Sequence, residues 1–276
     1  MSSVAKVFLS AALILLPAQA GKALMRHGGE VAGSLVRPIE FKHTLRVCNA
    51  FPSSSPIDVF RSQEKLTNAG PMAYKECRDF EPKLVEGDRL TFKVGDSSAG
   101  TFAVGALPAN DAVLLLAVHR HDEMSTAVSF ESHTFAAGLE SPQIAVIDAY
   151  KGSAQAVARI ADAASKGEHL ERARDEELRF DNAVAVSPGA YEVFLSGNDG
   201  AKKANSSLIA LKHESYVIMR IGVEAKTQGQ QSYPQDIVVY PRSPAEALGG
   251  ARMASPLLFL PLVVAAALFG CGLLEM

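Results

Sequence analysis

The chain has 276 residues, 48% hydrophobic and 7% aromatic, with no tryptophan and a formal net charge of -3. Without a cationic excess to neutralise phosphates, nucleic acid is not an expected partner. The lack of tryptophan argues equally against a sugar site built on ring stacking.

The N-terminal stretch MSSVAKVFLSAALILLPAQA has one lysine, an apolar run and a small-residue Ala18-Gln19-Ala20 ending. It reads as a secretory signal peptide over 1–20 with cleavage after Ala20, rather than as a buried N-terminal helix. Residues 21–40 then form a linker. At the other end a linker over 245–256 precedes a hydrophobic tail over 257–276, in which Leu257 to Leu274 is uncharged. That run is either a lipid-anchor addition signal, of the GPI type, or a retained membrane helix. Nothing basic follows it, as a stop-transfer helix would require. Both readings put the body outside the cytosol, at a cell surface or in a periplasmic or extracellular space, attached to a membrane by its tail.

Between the ends, short runs rich in Val, Leu, Phe and Thr are punctuated by Gly, Pro, Asn and Asp at strand-like spacing. HTLRVCNA, PIDVFR, RLTFKV, TFAVGAL and AVLLLAVHR are the strands expected of a first module over 41–138. QIAVIDAY, NAVAV, AYEVFLS, SLIALK, SYVIMRIGV and DIVVYP are those of a second over 139–244. Three pairs of segments recur in the same order: LRVCNAF with IAVIDAY, GDRLTFKVG with GAYEVFLSG, and ALPANDAVLLLAV with ALKHESYVIMRIG. The fold expected is therefore all-β, as two tandem homologous β-sandwich modules of Ig-like or Greek-key type. The charged stretch KGEHLERARDEELRFD at 166–181 is the exception, expected as a short exposed helix or a solvated loop.

Of three cysteines, Cys271 lies in the tail, leaving Cys48 and Cys77. In an oxidising compartment these pair as a disulfide; the rival, a catalytic thiol at Cys48, has no local signature. Asn205, in Asn-Ser-Ser, is an N-glycosylation acceptor in an expected loop.

Two short motifs resemble blocks of an SGNH-type esterase or acetyltransferase: VGDSSAG at 94–100, with Ser97 as nucleophile, and SGNDG at 196–200. The repeat alignment places both glycine turns after equivalent strands. Turn chemistry alone accounts for Gly, Asn, Asp and Ser there. A strand-forming run rather than a helix follows Ser97, and no Asp-x-x-His is present to supply a base. The motifs read as turns and the chain as a non-enzyme. His119, His121 and His133 are weak metal candidates, with Asp122 and Glu123 as potential oxygen ligands. PSSSP at 52–56 and GNDGAKKANSS at 197–207 read as polar loops, whose Lys202 and Lys203 can meet an acidic polymer or a partner protein. No phosphate loop or dinucleotide fingerprint occurs, and no cofactor is expected.

LRVCNAF, EGDRLTFKVGDSSAG, YEVFLSGNDGAKKANSSLIALKHESYVIMRIG and DIVVYPRSP, with the signal peptide and the tandem modules, resemble the alginate O-acetylation accessory protein family (AlgF-like). The resemblance covers most of 41–244. It implies a non-catalytic, two-sandwich adaptor that bridges polysaccharide acetyltransferase components, with protein partners and an acidic polysaccharide nearby. The Cys48/Cys77 pair, an insertion at 62–82, the 166–181 segment and the anchored tail depart from the family pattern. The alternative function is a cell-surface binding or adhesion module unrelated to acetylation. The Ser97-dependent esterase or acetyltransferase is the third.

Overall fold

A computed structural model describes residues 39–125, 127–163, 175–226 and 231–242. The segment expected to be a signal peptide, with its expected cleavage site after Ala20, and the hydrophobic C-terminal segment lie outside these residues. So does most of the charged stretch after 166.

Sixteen strands are described, and they fall into two sets of eight with the same topology. In the first set, β1 (His43–Asn49), β4 (Cys77–Phe80), β7 (Ala112–Arg120) and β8 (Val128–Ala136) form an inner sheet in the order β4-β1-β7-β8. β2 (Ile57–Arg61), β3 (Glu64–Lys65), β5 (Arg89–Val94) and β6 (Ser97–Ala103) form an outer sheet in the order β3-β2-β5-β6. In the second set, β9 (Gln143–Asp148), β12 (Asn182–Ala185), β15 (Ser215–Val223) and β16 (Tyr233–Tyr240) give the inner order β12-β9-β15-β16. The outer one is β11-β10-β13-β14, from β10 (Ala156–Asp162), β11 (Asp175–Leu178), β13 (Gly189–Gly197) and β14 (Lys202–Ala210). Each inner sheet has one parallel pair, β1 with β7 and β9 with β15, and the remaining pairs are antiparallel. The repeat seen in sequence is thus a repeat of connectivity.

Alternation of side chains along each strand places the core. Leu45, Val47, Leu116 and Val118 point outward to Ile57, Val59, Leu90 and Phe92, closing the first sandwich. Ile144, Val146, Tyr216 and Ile218 do the same against Ile160, Val193, Leu195 and Leu208 in the second. The opposite faces of the inner sheets are also apolar. Cys48, Leu115, Ala117 and Phe135 pack directly on Ala145, Ile147, Val217, Met219 and Val238. The two sandwiches therefore stack face to face as four layers with three apolar cores, and β15 is buried along its whole length. Strands covered on both faces read as continuous rather than alternating apolar runs. AVLLLAV and YVIMRIGV are such runs.

Register refines the repeat. The hairpin irregularity falls after Phe92 in β5 and after Leu195 in β13, so Phe92 corresponds to Leu195 and not to Phe194. Phe92 and Leu195 are both fully buried, whereas Phe194 faces outward beneath the Lys202 ammonium, 4.2 Å from its ring centroid. The charged stretch also departs from expectation: Asp175–Leu178 is a strand, paired with β10, anchored by buried Leu178 and by an Arg159–Asp175 ion pair at 2.8 Å.

Candidate functional site

The disulfide expected from the sequence is present: Cys48 and Cys77 face each other across β1 and β4, with S–S 2.03 Å. Beside it, Arg46 is 3% exposed. Its Nε and Nη2 donate to the two Asp79 carboxylate oxygens, both at 2.8 Å. Its Nη1 donates to the Ser215 carbonyl of the second sandwich at 2.5 Å, and the guanidinium lies 5.0 Å from the Tyr240 ring centroid. Lys75 pairs with Asp236 across the same rim at 2.6 Å, and the Tyr74 ring meets Tyr233 edge-on. Burial, then Asp236, holds the Tyr74 phenol well above its ordinary pKa, and its buried hydroxyl has no hydrogen-bond partner among the described residues. Polar contacts thus rim an apolar layer, the arrangement of a permanent interface.

The histidines are not brought together as a metal centre. His119 is buried, with Nδ1 bonded to the Arg120 carbonyl and Nε2 3.8 Å from Glu131. His121 is bonded to Ser129. His133 stands opposite Leu115, with its ring against Phe135. Asp122 accepts backbone N–H groups of Met124 and Ser125, and Glu123 pairs with Lys226. No set of three His, Cys, Asp or Glu side chains with ligating geometry occurs among the described residues.

Asn205 is exposed but sits inside β14 opposite Phe194, not in a loop. Backbone pairing to β13 overrides the polar composition, and the Asn205 amide donates to Glu192. Lys202 and Lys203 are likewise engaged, with Glu192 at 2.8 Å and Asp199 at 2.7 Å.

Ser97 and Gly197 flank hairpin turns of equivalent strand pairs. Ser97 nevertheless lines an open cleft of about 590 Å³ at the loop end of the first sandwich. Ser53, Ser98 and Ser125 also line it, with Phe51 and Arg120. Among the described residues lining it there is no histidine, lysine or carboxylate to act as a base toward Ser97. Arg120 lies 5.3 Å from the Phe51 ring centroid, and its Nη2 donates to the Pro52 carbonyl at 3.4 Å.

The second sandwich also stacks an arginine on an aromatic ring, but at another place in the repeat: Arg220 pairs with Asp148, whereas Val118 pairs with Asn49. Asn49 and Asp148 are equivalent, since each accepts the backbone N–H two residues on, from Phe51 at 3.0 Å and from Tyr150 at 3.1 Å. Arg220 stacks on Tyr150 as Arg120 does on Phe51, with its carbon 4.4 Å from the ring centroid. Arg220, however, bonds Asp148 at 3.1 Å, Gln235 at 3.1 Å and the Ala154 carbonyl. In the first sandwich Val118 holds the position of Arg220, and the Asn49 amide donates to the Met72 carbonyl.

No protein-family model matches the sequence, and no curated protein matches it. Among solved structures, the chain is similar to the family 26 carbohydrate-binding module of Amy13K from Eubacterium rectale, solved in complex with maltoheptaose. The identity is 8% and the TM-score 0.22, over 74% of this chain and 99% of that one. A likeness of that degree carries no argument about function.

Proposed function

We propose that the chain is a non-catalytic adaptor, secreted and held at the cell surface by its tail, that brings together the components of an extracellular polysaccharide O-acetylation system. The supporting observation is the apolar layer shared by the two sandwiches. It fixes their loop-bearing ends in one relative geometry, which is what a protein bridging two partners needs. The resemblance of LRVCNAF, EGDRLTFKVGDSSAG and DIVVYPRSP to the alginate O-acetylation accessory family supplies the choice of system.

The test is deletion of the gene in its own organism, with the ester-linked acetyl content of the exopolysaccharide as readout, together with affinity purification of the full chain. Loss of acetylation, restored by the wild-type chain and equally by Ser97→Ala, with acetyltransferase components in the purified complex, is the expected result. Normal acetylation in the deletion strain overturns the reading, and loss of surface adhesion there instead identifies an adhesion module. Failure of Ser97→Ala alone to restore acetylation identifies an enzyme.

A further inference from the structure

Strand direction gives each sandwich two ends, and corresponding ends of the two lie on one side of the molecule. β1, β7, β9 and β15 all start at one of them, and β8 and β16 finish there. Loops touch at this end, where Lys212 meets Glu140 at 3.5 Å and the His213 ring meets the Gly138 carbonyl at 3.3 Å. Lys75–Asp236 at 2.6 Å and Lys226–Glu123 at 2.9 Å join the sandwiches toward the opposite end, where the Ser97 cleft lies. From Phe41 onward, the exposed large apolar side chains among the described residues are Phe41, Val85, Met124, Leu139 and Leu211. Phe41 precedes β1, Val85 precedes β5, Leu139 joins β8 to β9 and Leu211 joins β14 to β15, all at the first end. Met124, between β7 and β8, is alone at the other. The chain also leaves from the first end: Tyr240, the last residue of β16, pairs with Val217 near the start of β15. The uncharged run Leu257 to Leu274 follows in sequence, and residues 243–256 reach at most about 50 Å even fully extended.

We infer that this end is a membrane-docking surface, on which Phe41, Val85, Leu139 and Leu211 insert at the lipid headgroup boundary while the Ser97 cleft faces away from the bilayer. Apolar side chains scattered singly over a surface need no partner. Here they are confined to the end from which the chain leaves for its uncharged run, and the bilayer that would hold that run is the surface nearest to them. A body tethered so closely meets the bilayer at high effective concentration, so a weak contact is enough to orient it. The lysines of this end are already paired, Lys42 with Glu81 at 2.7 Å and Lys212 with Glu140. Apolar insertion, rather than attraction to anionic headgroups, therefore supplies the contact. Docking at this end presupposes the tail anchor proposed above and adds which way the body faces.

Because the chain has no tryptophan, a single introduced one is a unique fluorescent probe. Leu139→Trp, Leu211→Trp and Met124→Trp place it at either end of the full chain, produced in its own organism and reconstituted, with the anchor it carries, into phosphatidylcholine vesicles. Phosphatidylcholine brominated high on its acyl chains is expected to quench most of the emission of Leu139→Trp and Leu211→Trp, equally at low and high salt. The emission of Met124→Trp should be unaffected. The probe positions are exposed, and either of the first two decides the matter if the other variant does not fold. In a chain that sediments with the vesicles, no quenching at Leu139→Trp and Leu211→Trp, the same quenching at Met124→Trp, or quenching abolished by salt overturns the inference and leaves the anchor standing. Failure to sediment with the vesicles overturns the anchor and this orientation with it. A blue shift of Leu139→Trp and Leu211→Trp that grows with protein concentration and ignores bromine identifies a second copy of the chain as the occupant, and overturns the membrane.

Discussion

The Arg46 guanidinium reaches the Ser215 carbonyl across 169 positions of sequence, at 2.5 Å, and ties the first strand of one sandwich to the central strand of the other. The same group is held bidentately by Asp79 on the neighbouring strand. Arg46 therefore aligns the sandwiches while the apolar layer beneath supplies the attraction.

Arg46→Met is expected to destabilise the chain. Breaking a buried pair costs roughly 3–5 kcal/mol. The low end applies here, because the Asp79 side chain keeps 34% of its exposure. Arg46→Met combined with Asp79→Leu should recover part of the loss, since no uncompensated charge then remains. Urea denaturation of the two variants measures both, and an unchanged midpoint for Arg46→Met would remove Arg46 from the interface energetics.

Reduction of Cys48–Cys77 should lower the melting temperature by several degrees. The bridge spans a sequence separation of 29 residues, for which loop-closure entropy gives about 3–4 kcal/mol. Cys48 is fully buried in the shared layer. Replacing both cysteines with serine should thus cost more than replacing both with alanine, as buried hydroxyls need partners. Thermal melts with and without reductant test the first point. Equal melting of the serine and alanine pairs would show that Cys48 is less enclosed than its position implies.

How much of this was legible in the sequence varies with what holds each element. Strands packed on a core, such as β1, β5 and β7, announce themselves by apolar composition, and the cysteine pair by compartment logic. β11 and the start of β14 did not. Glu176, Glu177, Lys202 and Lys203 are polar residues on strands at the edges of the outer sheet, where one neighbour's backbone decides the conformation. The stacking of the sandwiches had a trace in the unbroken apolar run of β15, whose both faces are covered. The Arg46–Ser215 contact had none, since nothing local relates the two positions. The cleft was half visible: the Gly-Asp-Ser turn marks Ser97, whereas nothing local relates it to Arg120, which the fold brings to the same cleft.

The chain should lose stability as the pH falls below about 6.5, the ordinary histidine value, and His119 should be one source. Burial, then the nearby Lys151, pushes its pKa down, against the Arg120 carbonyl, Asp181 and Asp148. The unfolded chain then takes up a proton in a range where the folded one does not, so protonation favours unfolding. Glu131, 3.8 Å away, works in the opposite sense: burial and then Asp181 raise its carboxyl, so the folded form binds its proton first. Stability measured between about pH 7.5 and 5.5, a range of roughly one unit either side of the histidine value, should fall less steeply in His119→Gln than in the wild type. Identical slopes would assign the acid sensitivity to other groups, among them half-buried His133, whose pKa burial also lowers.

Gly222→Ala should be among the most damaging single substitutions in the second sandwich. Gly222 sits in the fully buried strand β15 at φ +127°, where the pairing with β16 shifts register. A side chain in that backbone region costs on the order of 1–3 kcal/mol. A Cβ there would also lie 2.7 Å from the Pro234 carbonyl oxygen and 2.9 Å from that of Tyr233, both backbone atoms that cannot swing aside. The substitution must therefore either move β16 or break the irregularity, and β16 carries Ile237, Val238 and Val239 into two of the three apolar layers. Gly200→Ala is the control, since Gly200 also has a positive φ, +72°, but has open space where its Cβ would go. Gly200→Ala should lose only the conformational part, and Gly222→Ala clearly more, in parallel denaturation curves. Equal losses would mean that β16 accommodates the methyl group, and that the register shift reflects conformation rather than close packing.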